Sequence, residues 1–291
     1  MKIVKIKGGL GNQMFQYAFA KKVENLTNET IKLDFSTFGE LSDDQIRKPR
    51  LLQYNLSLEK ANEEEINAVC KIPHKGNSLS VKYKLGILLE SIVNKKYFFE
   101  RDRRFRAAEK LVTYDYFDGY WQSWKHINSV IGILQKEFTP NYEINQETKS
   151  TIKKMQAENS VFVGVRKGDY ALKTNHYGIF QQEYYDRALE CIENAVKNPV
   201  YYIFSNDISW VKNNLKFGKR NVIYREKEDV VNDFEELILM TNCKHSIIVN
   251  STYHWWGARM NYYPGKIVVA PKKWFFDDKP IDIIPPEWKK I

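Results

Sequence analysis

Residues Val161–Tyr170 read V-F-V-G-V-R-K-G-D-Y and are the most informative ten residues of the chain. The apolar opening, with three valines in five residues, is typical of a short buried strand. The run then changes at once to Arg166, Lys167 and Gly168. Because α/β folds bind ligands at the carboxyl ends of their strands, these two cations predict either a pyrophosphate site or a solvated strand end.

From this strand onward, apolar strand patterns and helical patterns alternate, which predicts a doubly wound parallel sheet. The predicted strands cover 161–165, 200–204, 222–224, 247–249 and 267–269, and the predicted helices cover 181–196, 209–215, 234–243 and 252–261. A polar helix over 145–158 precedes them, after a helix that carries Ile127, Val130, Ile131, Leu134 and Phe138. We therefore predict an N-terminal domain over residues 1–152 and a C-terminal Rossmann-like domain over 153–291.

A glycine-rich turn, G-G-L-G-N-Q over Gly8–Gln13, follows the first predicted strand, 2–6. The helix pattern after it has an apolar face made of Met14, Phe15, Ala18, Phe19, Val23 and Leu26. Glycine allows close backbone approach to a ligand, and a helix amino terminus offers free N–H groups to an anion. The third small residue of the dinucleotide fingerprint is missing, because Met14 stands there. Anion binding and a tight turn that needs glycine for its dihedrals both remain open.

Two further strand ends are polar. Asn250, Ser251 and Thr252 follow the predicted strand 247–249, and their side chains either cap the next helix or bind a phosphate. Ser205, Asn206 and Asp207 follow the predicted strand 200–204. Asp207 either accepts from a guanine edge or a ribose, or caps the helix that begins near Ile208.

Several motifs, in this order, resemble those of bacterial α-1,2-fucosyltransferases of glycosyltransferase family 11, over nearly the whole chain. They are G-G-L-G-N-Q-M-F-Q-Y-A (8–18), D-G-Y-W-Q-S-W-K (118–125), R-K-G-D-Y (166–170), F-S-N-D-I-S-W-V (204–211), N-S-T-Y-H-W-W-G-A (250–258) and K-I-V-V-A-P-K-K-W-F (266–275). The family usually has H-x-R-R-x-D at the central motif. Here Gly164 replaces the histidine and Lys167 replaces the second arginine.

The resemblance implies a GT-B architecture, with two Rossmann-like domains facing across a cleft. It implies inverting transfer of L-fucose from GDP-β-L-fucose to the 2-hydroxyl of a galactoside, in surface glycan (O-antigen) biosynthesis. The C-terminal domain is expected to bind GDP-fucose, and the N-terminal domain to contribute its glycine turn and the acceptor side. The acceptor is a galactoside oligosaccharide or a lipid-linked glycan.

Catalysis is expected to depend on donors that stabilise charge on the leaving β-phosphate. Arg166 is predicted to do this, with help from Lys167, Ser251, Thr252 and Asn12. The full predicted donor site consists of Gly9, Gly11, Asn12, Gln13, Arg166, Lys167, Ser205, Asp207, Asn250, Ser251 and Thr252. The general base remains open among Asp169, His176 and His254, or no base is needed. No D-x-D motif occurs, so we expect no metal and no other cofactor.

Composition bears on the partners and the compartment. The 291 residues carry a formal charge of +9, which suits an acidic nucleotide sugar or an anionic membrane surface. No nucleic-acid recognition motif is visible, and the cysteines Cys70, Cys191 and Cys243 predict a reducing compartment without disulfides. No signal peptide or membrane span is visible, which predicts a cytoplasmic enzyme. The lysine-rich stretch Lys71–Lys96 is either a solvated basic face or a contact with the inner face of the bacterial membrane.

Two alternative functions remain. One is a fucosyltransferase of another linkage, such as the α-1,6 type, which shares the R-R-x-D motif. The glycine turn followed by M-F-Q-Y-A favours the α-1,2 group. The other is a nucleotide- or glycan-binding module without catalytic activity. Trp255 and Trp256 are expected to pack in the core rather than to stack on sugar.

Overall fold

The structure is a computed structural model that describes residues 1–38, 48–70, 81–167, 181–226, 233–275 and 281–291. It divides into two units, one of Met1–Tyr142 with Pro280–Ile283, the other of Glu143–Lys279 with Ile284–Ile291. The division therefore precedes the polar helix of 146–157, whereas the predicted boundary at 152 falls inside it. That helix belongs with the second unit because the Thr148 hydroxyl donates to the Glu235 carboxylate.

The first unit contains a parallel sheet with helices around it. Along the chain its elements are β1 (Lys2–Lys5), α1 (Leu10–Thr27), β2 (Ile31–Asp34), a 3₁₀ turn (Arg50–Gln53), α2 (Glu63–Val69), α3 (Val81–Val93), β3 (Tyr97–Phe99), a 3₁₀ turn (Ala108–Lys110), β4 (Tyr116–Asp118), α4 (Trp124–Ile127) and α5 (Ile131–Glu137). The described strands lie in the order β2-β1-β4-β3, and every pairing is parallel.

The second unit contains a larger parallel sheet. Its elements are α6 (Gln146–Ala157), β5 (Ser160–Val165), α7 (Gln182–Glu193), β6 (Val200–Ser205), α8 (Ile208–Asn214), β7 (Asn221–Tyr224), α9 (Asp233–Asn242), β8 (His245–Ile247), α10 (Thr252–Arg259), β9 (Val268–Ala270) and β10 (Lys289–Lys290). The described strands lie in the order β10-β9-β8-β5-β6-β7. The chain runs outward from β5 on one side and from β8 on the other, so the strand order reverses between them. This is the doubly wound parallel sheet that the sequence predicted.

Two sequence predictions need correction in detail. The strand predicted at 247–249 lies two residues earlier, at His245–Ile247, because these three residues pair with Val161–Val163 of β5. The single helix predicted to carry Ile127 to Phe138 is two helices, α4 and α5. They are separated by a turn in which the Val130 N–H donates to the Ile127 carbonyl, 3.0 Å away.

The cores of the two units are largely apolar. In the first, Phe19 of α1 stacks on Trp121 with ring centroids 3.9 Å apart. The predicted apolar face of α1 is buried except for Leu26, which is 38% exposed near the helix end. In the second, Trp255 and Trp256 are fully buried, which confirms their prediction as core residues. Burying one large aromatic side chain of this kind stabilises the folded state by roughly 2–3 kcal/mol.

Two further features concern the cysteines and the lengths of the helices. Cys70, Cys191 and Cys243 are free thiols. Across the described ranges, none of the helices combines the length and the apolar character needed to cross a bilayer.

Candidate functional site

The best-defined candidate site lies at the carboxyl edge of the second sheet. The strand order reverses between β5 and β8, and α/β sheets bind ligands at such a switch point. Arg166 and Lys167 directly follow β5, Asn250 and Ser251 lie between β8 and α10, and Thr252 is the first residue of α10. The structure therefore brings the cationic strand end and the Asn-Ser-Thr segment to the same edge of adjacent strands, as the sequence predicted.

Lys167 is tied to the neighbouring strand end. Its backbone N–H donates to Oδ1 of Asn206 at 3.1 Å, and its ammonium nitrogen lies 3.0 Å from Oδ2 of Asp207. The same nitrogen lies 5.6 Å from the centre of the Trp210 ring, within range of a cation–π contact. Lys167 is thus oriented by Asn206 and Asp207 of the β6–α8 connection and by Trp210 of α8, although its side chain is still one-third exposed.

Asp207 is the N-cap of α8. Its Oδ1 accepts from the Trp210 N–H at 2.8 Å, while Oδ2 holds Lys167, and the Ser205 hydroxyl accepts from the Asp207 N–H at 3.1 Å. The capping interpretation of Asp207 is therefore confirmed. Guanine readout by this carboxylate stays a prediction, and it requires a carboxylate oxygen to be shared with or released from its present partner.

The segment after β8 also begins a helix. Ser251 caps α10, with its hydroxyl accepting from the His254 N–H at 3.5 Å. Asn250 and Ser251 are buried, and Thr252 is half-buried. Ser251 therefore satisfies one N–H of the first helical turn. A phosphate contact by this helix start stays a prediction.

His254 packs against the backbone of Gly164. A Cβ atom added at Gly164 would lie 2.7 Å from Cγ and 2.8 Å from Cε1 of the His254 ring, and closer still to Nδ1. Nδ1 of His254 is buried and has no hydrogen-bond partner in the described residues. The imidazole thus fills the space that a side chain at 164 would occupy, at the position where the family motif usually has a histidine.

The environment of His254 makes it a poor general base. Burial, with the nearby Arg166 guanidinium, lowers the pKa of His254 to about 3. The imidazole is therefore neutral at pH 7 but binds a proton far more weakly than an ordinary histidine. The suggestion that His254 acts as the base is not supported. Asp169 and His176 lie outside the described residues.

The glycine turn of the first unit has the expected β-to-α geometry. Gly8 has φ +80°, which disfavours other residues, and Gly9 is the N-cap position of α1. Asn12 is half-buried, and its Oδ1 accepts from Nε2 of Gln122 at 2.8 Å. Gly9 and Asn12 are both partly exposed, and a ligand contact by them stays a prediction.

Gln13 and Gly11 have different surroundings. Gln13 is fully buried; its Nε2 donates to the carbonyls of Gly8 (2.8 Å) and Lys48 (2.9 Å), and its Oε1 accepts from the Leu51 N–H (3.0 Å). Gly11 is buried in the first turn of α1. We therefore correct the assignment of Gln13: its amide holds the turn to the following loop rather than facing a ligand.

The carboxyl edge of the first sheet contains charged residues that the sequence analysis did not single out. The buried carboxylate of Asp118 pairs with Lys7, and it accepts from the Tyr97 hydroxyl at 2.9 Å. Burial opposes both charges, but their mutual attraction raises the pKa of Lys7 and lowers that of Asp118. The sequence did contain a signal for this pair. A lysine and an aspartate stand beside apolar strand residues, and buried charges need partners.

Glu100, directly after β3, lies at the same edge. Its Oε2 accepts from the Tyr120 N–H at 2.6 Å and the Trp121 N–H at 3.2 Å, and burial raises its pKa. The adjacent Tyr120 ring is 43% exposed and lies 5.1 Å from the Lys7 ammonium nitrogen. This edge thus offers an aromatic surface and a carboxylate, a combination suited to sugar hydroxyls.

Two α/β units, each built on a parallel sheet with polar groups at its carboxyl edge, are the elements of the GT-B fold. The fold resembles that of ADP-heptose lipopolysaccharide heptosyltransferase II from Escherichia coli, with a TM-score of 0.51 and 11% identity, covering 100% of this chain and 90% of that one. The chain matches glycosyl transferase family 11 over residues 1–291, and it belongs to that family. The family resemblance seen in the sequence is therefore confirmed.

Three relatives illustrate the range of the family. The chain is 30% identical to the O-antigen biosynthesis glycosyltransferase WbnK of Escherichia coli, over 93% of both chains. It is 29% identical to an α-1,2-colitosyltransferase of Escherichia coli, over 99% of this chain and 98% of the relative. It is 24% identical to galactoside α-(1,2)-fucosyltransferase 2 of Rattus norvegicus, over 59% of this chain and half of the relative.

Proposed function

We propose that this glycosyltransferase moves L-fucose from GDP-β-L-fucose to the 2-hydroxyl of a galactoside, with inversion, in bacterial surface glycan biosynthesis. The observation that carries the proposal is the placement of Arg166 and Lys167 at the end of β5, where the strand order of the second sheet reverses. Two fixed cations at a switch point suit a nucleoside diphosphate.

The chemistry follows from where charge develops. As the anomeric carbon separates from the β-phosphate oxygen, negative charge grows on GDP and positive charge grows on the sugar ring. We infer that Arg166 donates to that oxygen, and that Lys167, which Asp207 and Asn206 hold in position, adds a second positive charge. Preorganised donors of this kind stabilise the transition state more than the ground state. The acceptor hydroxyl then attacks the opposite face of the anomeric carbon.

The linkage and the donor sugar rest on the relatives. Both the colitosyl- and the fucosyltransferase relatives are named for α-1,2 transfer, which supports the α-1,2 linkage over the α-1,6 alternative. The similarity to the colitosyltransferase extends over nearly the whole chain. A GDP-activated colitose is therefore a second candidate donor. Measuring turnover with GDP-fucose and with GDP-colitose separates the two candidates.

The proposal for the acceptor side uses the carboxyl edge of the first sheet. There Tyr120 offers an exposed ring face and Glu100 a carboxylate that is held by two backbone N–H groups. Aromatic faces and carboxylates are common partners of sugar rings and hydroxyls. The acceptor is a galactoside oligosaccharide or a lipid-linked glycan, and the enzyme works in the cytoplasm, at the inner face of the membrane.

The test measures GDP release and then the linkage of the product. The purified chain is incubated with GDP-fucose or GDP-colitose and a panel of β-galactosides, each paired with its 2-deoxy analogue. We expect acceptor-dependent GDP release that requires the 2-hydroxyl, and an α-1,2 product by linkage analysis. A 1,6-linked product would replace the proposed linkage. GDP binding without turnover on any acceptor would favour the non-catalytic module.

A further inference from the structure

Helix α3 in the first unit turns its apolar side outward. Large aliphatic side chains recur along it with helical spacing and are mostly half or more exposed: Leu85 (53%), Leu88 (50%), Leu89 (44%), Ile92 (65%) and Val93 (65%). At 100° per residue these positions fall on one stripe of the helix. We refer to these five side chains as the α3 apolar face.

The opposite side of α3 fixes this orientation. Ile87 and Glu90 are buried there, and so is Asn94, the residue directly after the helix. Nδ2 of Asn94 donates to Oε1 of Glu90 and to the carbonyl of Val69, both at 2.7 Å. Turning the helix to bury its leucines would break these buried hydrogen bonds. The polar groups of Glu90 and Asn94 would lose their partners, which costs free energy. The outward direction of the α3 apolar face is therefore set by specific hydrogen bonds.

An exposed apolar surface of this kind indicates an interaction site. An amphipathic helix of a globular domain normally faces its apolar stripe to the core, and contiguous exposed apolar patches mark interaction sites. The chain just after the helix is basic: Lys95, Lys96, Arg101 and Arg104 are exposed. Asp115 lies 3.9 Å from Lys96 and Asp102 lies 3.0 Å from Arg104, so these two cations are partly balanced, at the surface, by acidic neighbours.

We propose that the α3 apolar face docks on an anionic lipid surface, lying on the bilayer with the neighbouring cations at the headgroups. The inference deepens the proposed function, on which it rests only for the choice of the inner membrane face. Apolar side chains beside lysine and arginine are the combination that binds peripheral helices to anionic membranes. It also gives the chain's charge of +9 a complementary partner.

The charges favour lipid over a second copy of the chain. In a two-fold symmetric dimer through the α3 apolar face, the same surface is used by both copies. Each copy carries a formal charge of +9, so docking two copies brings two net-positive chains together, at a cost that anionic headgroups do not incur. A membrane thus satisfies both the apolar and the charged parts of the surface.

The test is flotation of the full chain with vesicles, without GDP-fucose or acceptor. The probes are phosphatidylcholine vesicles with and without phosphatidylglycerol. We expect binding to the anionic vesicles that weakens with added salt. Replacing Ile92 and Val93 together by serine removes two exposed aliphatic side chains, so the bound fraction at limiting lipid should fall roughly tenfold or more. Replacing Lys95 and Lys96 by glutamine should weaken binding to anionic vesicles only.

Matched controls separate this from general surface effects. Leu26→Ser with Leu52→Ser removes two exposed leucines elsewhere in the same unit (38% and 46% exposed), and Lys153→Gln with Lys197→Gln removes two exposed lysines of the second unit. Both control variants should bind like the wild type. Circular dichroism and GDP titration check that each variant is folded.

Three results would overturn the proposal: no binding of the wild type to anionic vesicles, binding unchanged by the Ile92/Val93 change, or a wild-type dimer that this change dissociates. The last would assign the face to self-association. Because no substrate is present, vesicle binding by a chain that fails to transfer fucose would refute the proposed function and leave this inference intact.

Discussion

The ring of His254 lies where a side chain on Gly164 would have to be, with the nearest carbon atoms only 2.7 and 2.8 Å from an added Cβ. Phe162, two residues earlier on β5, has its ring centre 6.4 Å from that of His254. The strand β5, which Arg166 directly follows, is therefore packed against an imidazole contributed by α10. Glycine at position 164, where the family motif usually has a histidine, leaves the space that the His254 ring occupies.

This contact predicts coupled stabilities. Gly164→Ala should lower the free energy of unfolding by roughly 1–3 kcal/mol, because the added Cβ overlaps a fully packed ring. In Gly164→Ala/His254→Ala the ring is absent, so the loss should be at least ~1 kcal/mol smaller than the sum of the two single losses. Urea unfolding of all four proteins measures this cycle. Additive losses would mean that the ring moves aside freely.

Arg166 is predicted to be essential for turnover. Arg166→Ala should reduce kcat by roughly 100-fold or more, because it removes a charge-assisted donor from the leaving phosphate. Arg187→Ala, on the exposed side of α7, is the matched control and should retain wild-type turnover. Both variants should give wild-type circular dichroism. Near-normal turnover of Arg166→Ala would remove this residue from the mechanism.

Asp207 has two separable roles that Asn and Ala substitutions distinguish. Asp207→Asn keeps an oxygen for the Trp210 N–H but loses the charge that holds Lys167, so its stability should change little. Asp207→Ala loses the cap as well and should cost about 0.5–2 kcal/mol. If the carboxylate also reads guanine, both variants should lose the preference for GDP over ADP and UDP in calorimetric titration. Retained GDP preference in both variants would assign Asp207 to capping and to Lys167 alone.

Transfer is predicted to be independent of divalent metal, because arginine and lysine supply the positive charge at the pyrophosphate. Activity should therefore be unchanged by excess EDTA and by added magnesium or manganese. The measurement is initial rate after exhaustive chelation. Loss of activity that manganese or magnesium restores would contradict this prediction.

Buried histidines predict acid sensitivity. Burial lowers the pKa of His126 to about 4, and burial with Arg166 lowers that of His254 to about 3, so both are neutral in the folded chain at pH 5. The unfolded chain binds protons there with a pKa near 6.5, so folding stability must fall as pH decreases below about 6.5. Between pH 8 and pH 5 each histidine should cost roughly 2 kcal/mol.

The measurement is urea unfolding at the two pH values, for the wild type and for His126→Phe. The substituted ring keeps aromatic contacts with Phe19 and Phe105, whose centres lie 5.2 and 5.0 Å from that of His126. Phenylalanine cannot titrate. Between pH 8 and pH 5 the free energy of unfolding of the variant should therefore fall by about 2 kcal/mol less than that of the wild type. Equal losses in both proteins would show that His126 is not the group responsible.

Local sequence determined much of the second unit. Strand positions β5, β6, β7 and β9 and helices α7 to α10 were predicted to within a few residues, because apolar periodicity and strand-end polar residues are local signals. The same signals placed Arg166 and Lys167 at a strand end, and Asp207 and Ser251 at helix starts. The family motifs added the activity, which periodicity alone does not contain.

Tertiary structure decided what each of these residues faces. Gln13 bonds to Lys48 and Leu51, which lie far along the chain, so no local pattern could show that its amide is already used. The packing of His254 on Gly164 joins a residue of α10 to one of β5, and the outward turn of α3 depends on the bond from Asn94 to Val69. The local sequence thus determined where strands, helices and charges occur. Contacts between residues distant in sequence determined which side chains are buried and which are held in place. They also determined which side chains remain exposed to a ligand or a membrane.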